Sequence, residues 1–76
     1  MALLALTERR DPSLLAKLRN EAMTPLIEMA RWKSEGHAMP ALKVLGRIAG
    51  ASDENTQAAW TRGEREVIIS AALKRH

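Results

Sequence analysis

Two imidazoles, His37 and His76, are the only histidines, and cysteine is absent. A zinc site needs several His, Cys or carboxylate ligands at set spacing, and nucleophilic catalysis needs a nucleophile beside a base. His37 stands in a turn ahead of a helix start, where it reads as a turn or capping residue, and His76 is the final residue. No Ser, His and acid set has recognisable context, and no glycine-rich phosphate loop is present. Glu64 and Glu66 are two apart, so on a helix they face different ways. These residues predict no catalysis, no metal site and no cofactor.

The tryptophans, Trp32 and Trp60, each fall near a helix end. The plainer expectation is a core edge, with the indole N–H reaching a carbonyl or water. The sharper one is an interface anchor, since Trp is enriched at binding hot spots. Something must hold these residues in place. The chain has 76 residues, 46% of them hydrophobic and 28% charged, with no Phe and no Tyr. A core of Leu, Ile, Ala and Met suits helices better than sheet. The length allows one helical domain, 1–76, near the lower limit for a self-sufficient core. The start, "MALLALTERRD", does not read as a signal peptide. No apolar run approaches the roughly 20 residues that span a bilayer, so no membrane contact and a cytoplasmic location are expected. A net charge of +3, spread along the chain with acids between, reads as solubility more than as a nucleic-acid footprint.

Helix signals follow one another along the chain. "ALLALTER" is a short first helix, interrupted by "RRDP". Asp11 can cap the second, with Pro12 in its first position. Leu15, Leu18, Ala22, Leu26 and Met29 then mark one helical face, and that stripe runs on through Pro25, which predicts a kinked helix over a restart capped by Thr24. Lys17–Glu21 and Arg31–Glu35 have helical spacing. Gly36 is expected after the last turn, left-handed, and Pro40 at the start of "PALKVLGRIAG". That helix is apolar over most of its circumference and should be central, with Lys43 and Arg47 as its one solvent stripe. Gly46 allows a close helix approach. Ser52 or Asp53 caps the following helix, which runs to about Trp60. Thr61 and Glu64 are spaced as a capping box, and Gly63 is either a break or a close contact. The last helix, "EREVIISAALKRH", has its apolar arc centred on Ile68, Ala71 and Ala72, flanked by Val67 and Ile69. The result is an all-α fold of four to five short helices in a compact bundle.

"DPSLLAKLRNEAMTPLIEMA" resembles a HEAT-like helical repeat, through Asp11, Pro12, Leu18, Arg19, Ala22 and Leu26. The resemblance implies antiparallel helix pairs, about two repeats, and a scaffold that binds other macromolecules. "GRIAGASDENTQAAW" resembles a helix-turn-helix of the lac-repressor type over residues 42–60, with Gly46 as the small residue before the turn, Gly50 as the turn glycine, and Ala51 and Ser52 after it. That resemblance implies DNA contact through Ser52, Asn55, Gln57 and Arg62. The sequence departs from the pattern at Thr56, where an apolar residue is expected, and at Asp53 and Glu54, which would face phosphates.

The expectation is a non-catalytic interaction module that binds a protein partner or forms a weak homodimer, with Trp60, Val67 and Ile69 as partner-binding residues. The last helix spreads Val67, Ile68 and Ile69 over about 200°, so a second copy, another protein or the Met1–Leu6 segment should cover its edge. The alternative is a DNA-binding helix-turn-helix domain.

Overall fold

The computed structural model describes residues 2–74, so Met1, His76 and the end of the basic "LKRH" run lie outside it. Among the described residues the fold is all-helical. Six helices follow in order: α1 (Ala2–Leu6), α2 (Pro12–Glu21), α3 (Met23–Ala30), α4 (Glu35–Ala49), α5 (Asp53–Thr61) and α6 (Arg65–Lys74). That is more than the four to five expected, because one long helix is two.

The division falls between α2 and α3. Asp11 caps α2 as expected, its carboxylate accepting from the Ser13 N–H at 2.9 Å, with Pro12 first in the helix. The chain then leaves helical geometry at Ala22, with φ −127° and ψ 9°, instead of kinking at Pro25. Pro25 has no N–H for the carbonyl four residues back, and its ring crowds that carbonyl. Opening the chain three residues earlier puts Pro25 in the first turn of α3, where neither defect matters. Thr24 is not the cap; Ala22 holds that position without a side-chain bond.

Helix α4 begins a turn earlier than expected. Gly36 lies in its first turn, not beyond the end of α3, and Pro40 lies inside the helix. The Gly36 carbonyl that Pro40 leaves unbonded belongs to an exposed residue, so water can satisfy it. The Arg31–Glu35 spacing is not used, because the two residues stand on either side of the α3–α4 turn.

All five other helices pack on α4, α3 and α6 most extensively. Ala38, Met39, Ala41, Leu42, Val44, Leu45 and Ile48 are buried on it, and Leu18, Leu26, Ala30, Ile68, Ile69 and Ala72 meet them from around. The central helix is therefore covered from several sides, as its apolar circumference requires. The expected Lys43–Arg47 solvent stripe is not there. Lys43 is half-buried, and Arg47 is only 7% exposed.

Helices α4 and α5 end alike. Gly50 is left-handed at φ 84°, the Ala51 N–H reaches the Gly46 carbonyl at 2.8 Å and the Gly50 N–H reaches Arg47 at 3.2 Å. Gly63, at φ 72°, repeats the arrangement, with the Glu64 N–H on the Ala59 carbonyl at 2.7 Å. Both close the last turn with two backbone bonds. Gly63 is thus a break, and space around it is open. Thr61 does not form a capping box with Glu64: it ends α5, its hydroxyl donating to the Gln57 carbonyl at 3.1 Å. On α6 the buried arc runs over Ile68, Ile69 and Ala72, while Ala71 faces out, a rotation toward Ile69 relative to the expected arc.

Candidate functional site

The α4–α5 corner is fixed by small residues and by charge. A Cβ on Gly46 would overlap the Thr56 hydroxyl, so α4 and α5 touch where only glycine fits. Thr56 is fully buried, its hydroxyl donating to the Ser52 carbonyl at 3.0 Å while its oxygen is the atom that stands closest to Gly46. The Ser52 side chain caps α5, accepting from the Asn55 N–H at 3.0 Å.

Beside this contact Arg47 donates to both carboxylate oxygens of Asp53, at 3.1 and 2.7 Å, to the Leu4 carbonyl, and to the Thr7 hydroxyl at 2.9 Å. Arg10 adds bonds to the Ala51 carbonyl at 2.8 Å and to Asp53 at 3.4 Å. Hydrogen bonding from Arg47 holds the Asp53 carboxyl below the usual carboxylate range, against the opposing effect of partial burial, with Arg10 and Lys43 assisting. Asp53 is therefore a structural anion tied to α4. Ser52, Glu54, Asn55, Gln57 and Arg62 remain exposed on or beside α5. Of the four expected DNA contacts, Ser52 is also engaged as the cap.

A second cluster forms where α3, α5 and α6 meet. Arg65, the first residue of α6, lays its guanidinium 4.0 Å from the centre of the Trp60 ring. One of its terminal nitrogens donates to the carbonyls of Ala30 at 2.9 Å and Trp32 at 2.7 Å. A cation is thus placed on the last carbonyl of α3 and on the turn that follows it. Trp32 is 53% exposed, and its ring centre is 5.2 Å from that of His37. Next to it Arg31 makes a two-point pair with Glu66, at 3.0 and 2.8 Å, which raises the Arg31 pKa and lowers that of Glu66.

The expected partner-binding residues separate here. Trp60 is half-buried under Arg65 and belongs to this cluster. Val67 is 60% exposed on another flank of α6. Ile69 is only 1% exposed, packed in the core, and is not a surface residue. Residues two apart on a helix are about 200° apart around its axis, so the exposure of Val67 and the burial of Ile69 are one fact. Arg65 was missed from the sequence because its bonds to α3 cross more than thirty positions, and no local pattern marks them.

Among the described residues no group of three His, Cys, Asp or Glu side chains is placed to hold a metal, and no helix is long and apolar enough to cross a membrane. Searches against protein-family models, curated proteins and solved structures found no match to the chain.

Proposed function

We propose that the chain, 1–76, is a non-catalytic helical interaction module that binds a protein partner at the Trp32–Arg65–Trp60 edge. The observation that carries this reading is that one guanidinium holds both tryptophans' surroundings, stacking on Trp60 and bonding the Trp32 carbonyl. Trp and Arg are the residues most often dominant in interfaces. Side chains ordered beforehand lose little freedom on docking. The complementary surface is an apolar side chain with acceptors around it for the indole N–H and the guanidinium edges. The HEAT-like resemblance supplies a scaffold for this role, with α3 and α4 as one helix pair and α5 and α6 as the other. The extensive packing of α3 on α4 is in keeping with the first pair, while α5 and α6 each pack more on α4 than on one another.

The test is photo-crosslinking in cells, with the reactive side chain at position 32 or, as a control, at the exposed position of Lys17. A discrete protein adduct from position 32, absent from position 17 and lost on Trp60→Ala, is expected. Equal adducts from both positions would refute the edge as the binding surface. Light scattering separates a partner from a second copy. A mass of 8.4 kDa at high concentration is expected. A doubled mass that Val67→Lys reverses would replace the partner with a homodimer through α6.

A second reading, DNA binding by α4 and α5, draws on one observation. Asp53, one of the two acids that would face phosphates, is already paired with Arg47. Exposed Glu54 still opposes it. Duplex binding that falls steeply with salt would favour this reading.

A further inference from the structure

A groove of about 600 Å³ opens between α2, the end of α4 and the α1–α2 turn, and shares no residue with the tryptophan edge. It lies in the size range of small-molecule sites, roughly 300–1,000 Å³. Three arginines line it, Arg10, Arg19 and Arg47, with Asn20 and with Leu15 and Ile48 among its apolar walls. Three features point to a ligand. First, the charge is unbalanced. Asp53 pairs with Arg10 and Arg47, and among the described residues no carboxylate pairs with Arg19. Second, Arg19 Nε is buried with no hydrogen-bond partner; buried donors are nearly always satisfied, and each exception calls for an explanation. Third, Arg10 holds the left-handed conformation at φ 54°, rare for a residue with a Cβ, and such strain gathers at ligand sites.

We propose that this groove binds a small carboxylate carried on an apolar body. The guanidinium fork of Arg19 matches a carboxylate in two-point geometry. Leu15 and Ile48 would gain nothing from a bare hydrated anion, so inorganic phosphate is a poor fit. An uncharged apolar molecule would leave the Arg19 guanidinium without a counter-charge. Only the combination uses the whole surface. The site goes beyond partner docking at the tryptophan edge and stands independently of it.

The probes are octanoate, hexanol as the tail without the charge, and inorganic phosphate as the charge without the tail, titrated into the intact chain and followed by NMR. Octanoate is expected to shift the Arg19 Nε–H and the methyl signals of Leu15 and Ile48 together and saturably, with hexanol and phosphate at least tenfold weaker. Arg19→Met should weaken octanoate at least tenfold. It should leave the thermal midpoint unchanged or higher, because Arg19 Nε makes no bond within the fold. A fourth probe, N-acetyl-leucine, separates sources: tighter binding than octanoate assigns the carboxylate to a peptide end, weaker binding to a free acid, and both support the class. The proposal is overturned if octanoate shifts none of these signals, if Arg19→Met binds it equally well, or if phosphate matches it.

Discussion

Arg47 and Asp53 close the α4–α5 corner with a two-point ion pair, and the pair is lopsided: the guanidinium is inside the protein while the carboxylate keeps contact with water. The same guanidinium serves the Leu4 carbonyl and the Thr7 hydroxyl. Arg47→Met therefore strands several acceptors at once and should cost about 2–4 kcal/mol. That approaches the ~2–5 kcal/mol expected for the core truncation Leu45→Ala. Lys43→Ala, on the same helix, should cost under about 0.5 kcal/mol. Urea unfolding of the three variants checks this, and an Arg47 loss as small as that of Lys43 would remove Arg47 from the framework.

Acid should weaken the protein through Asp53. Its folded carboxyl lies below the ordinary value because Arg47 bonds the charged form. A depressed carboxylate contributes fully above the ordinary value, near 3.9, and loses that contribution as pH falls through its folded value. Glu66, bonded by Arg31, acts in the same sense. Urea midpoints should fall below about pH 4. Asp53→Asn should be less stable at neutral pH and show a shallower acid slope. Parallel pH curves for the two proteins would contradict the assignment.

Gly46→Ala should destabilise by about 1–3 kcal/mol despite alanine's better helix propensity, because the new methyl meets Thr56. Paired with Thr56→Ala, the loss should be smaller than the sum of the two single losses. A double-mutant cycle by thermal unfolding reads this directly, and strict additivity would show that the helices do not meet there.

Charge reversal at the start of α5 should separate two adjacent acids. Glu54→Lys leaves the Arg47 pair intact, so it should fold normally and strengthen nonspecific binding to duplex DNA at low salt. Asp53→Lys places a cation beside Arg47 and Arg10, and should lower the thermal midpoint clearly. Anisotropy titrations with melting curves distinguish them; equal stability of the two variants would sink the structural role of Asp53.

Local signals were legible and distant ones were not. Asp11, Pro12, Gly50 and Ser52 act within a turn of their own positions, and the structure uses each as its type suggests. The apolar circumference of α4 announced a central helix. Arg47 was misread because a polar stripe on a helix ordinarily faces water, while two of its partners, Leu4 and Thr7, lie 43 and 40 residues away. The stripe through Pro25 was real only in part, since Leu18 and Leu26 reach the core while Met29 at its end is exposed, and periodicity alone does not reveal a one-residue opening at Ala22. Trp60 and Val67 are where helical spacing puts them, but Arg65, which organises the edge, acts across the fold.

Helix α1 has five residues and is anchored by Arg47, whose partner Leu4 precedes it by 43 positions. So short a helix does not hold its shape alone. On the ribosome it emerges well before α4 and the Asp53 corner exist. Leu3 and Leu4, which pack against the core in the finished molecule, therefore stay bare throughout that interval. In the nascent chain they are the natural target for a chaperone or a protease until Arg47 is made and can hold α1 in place.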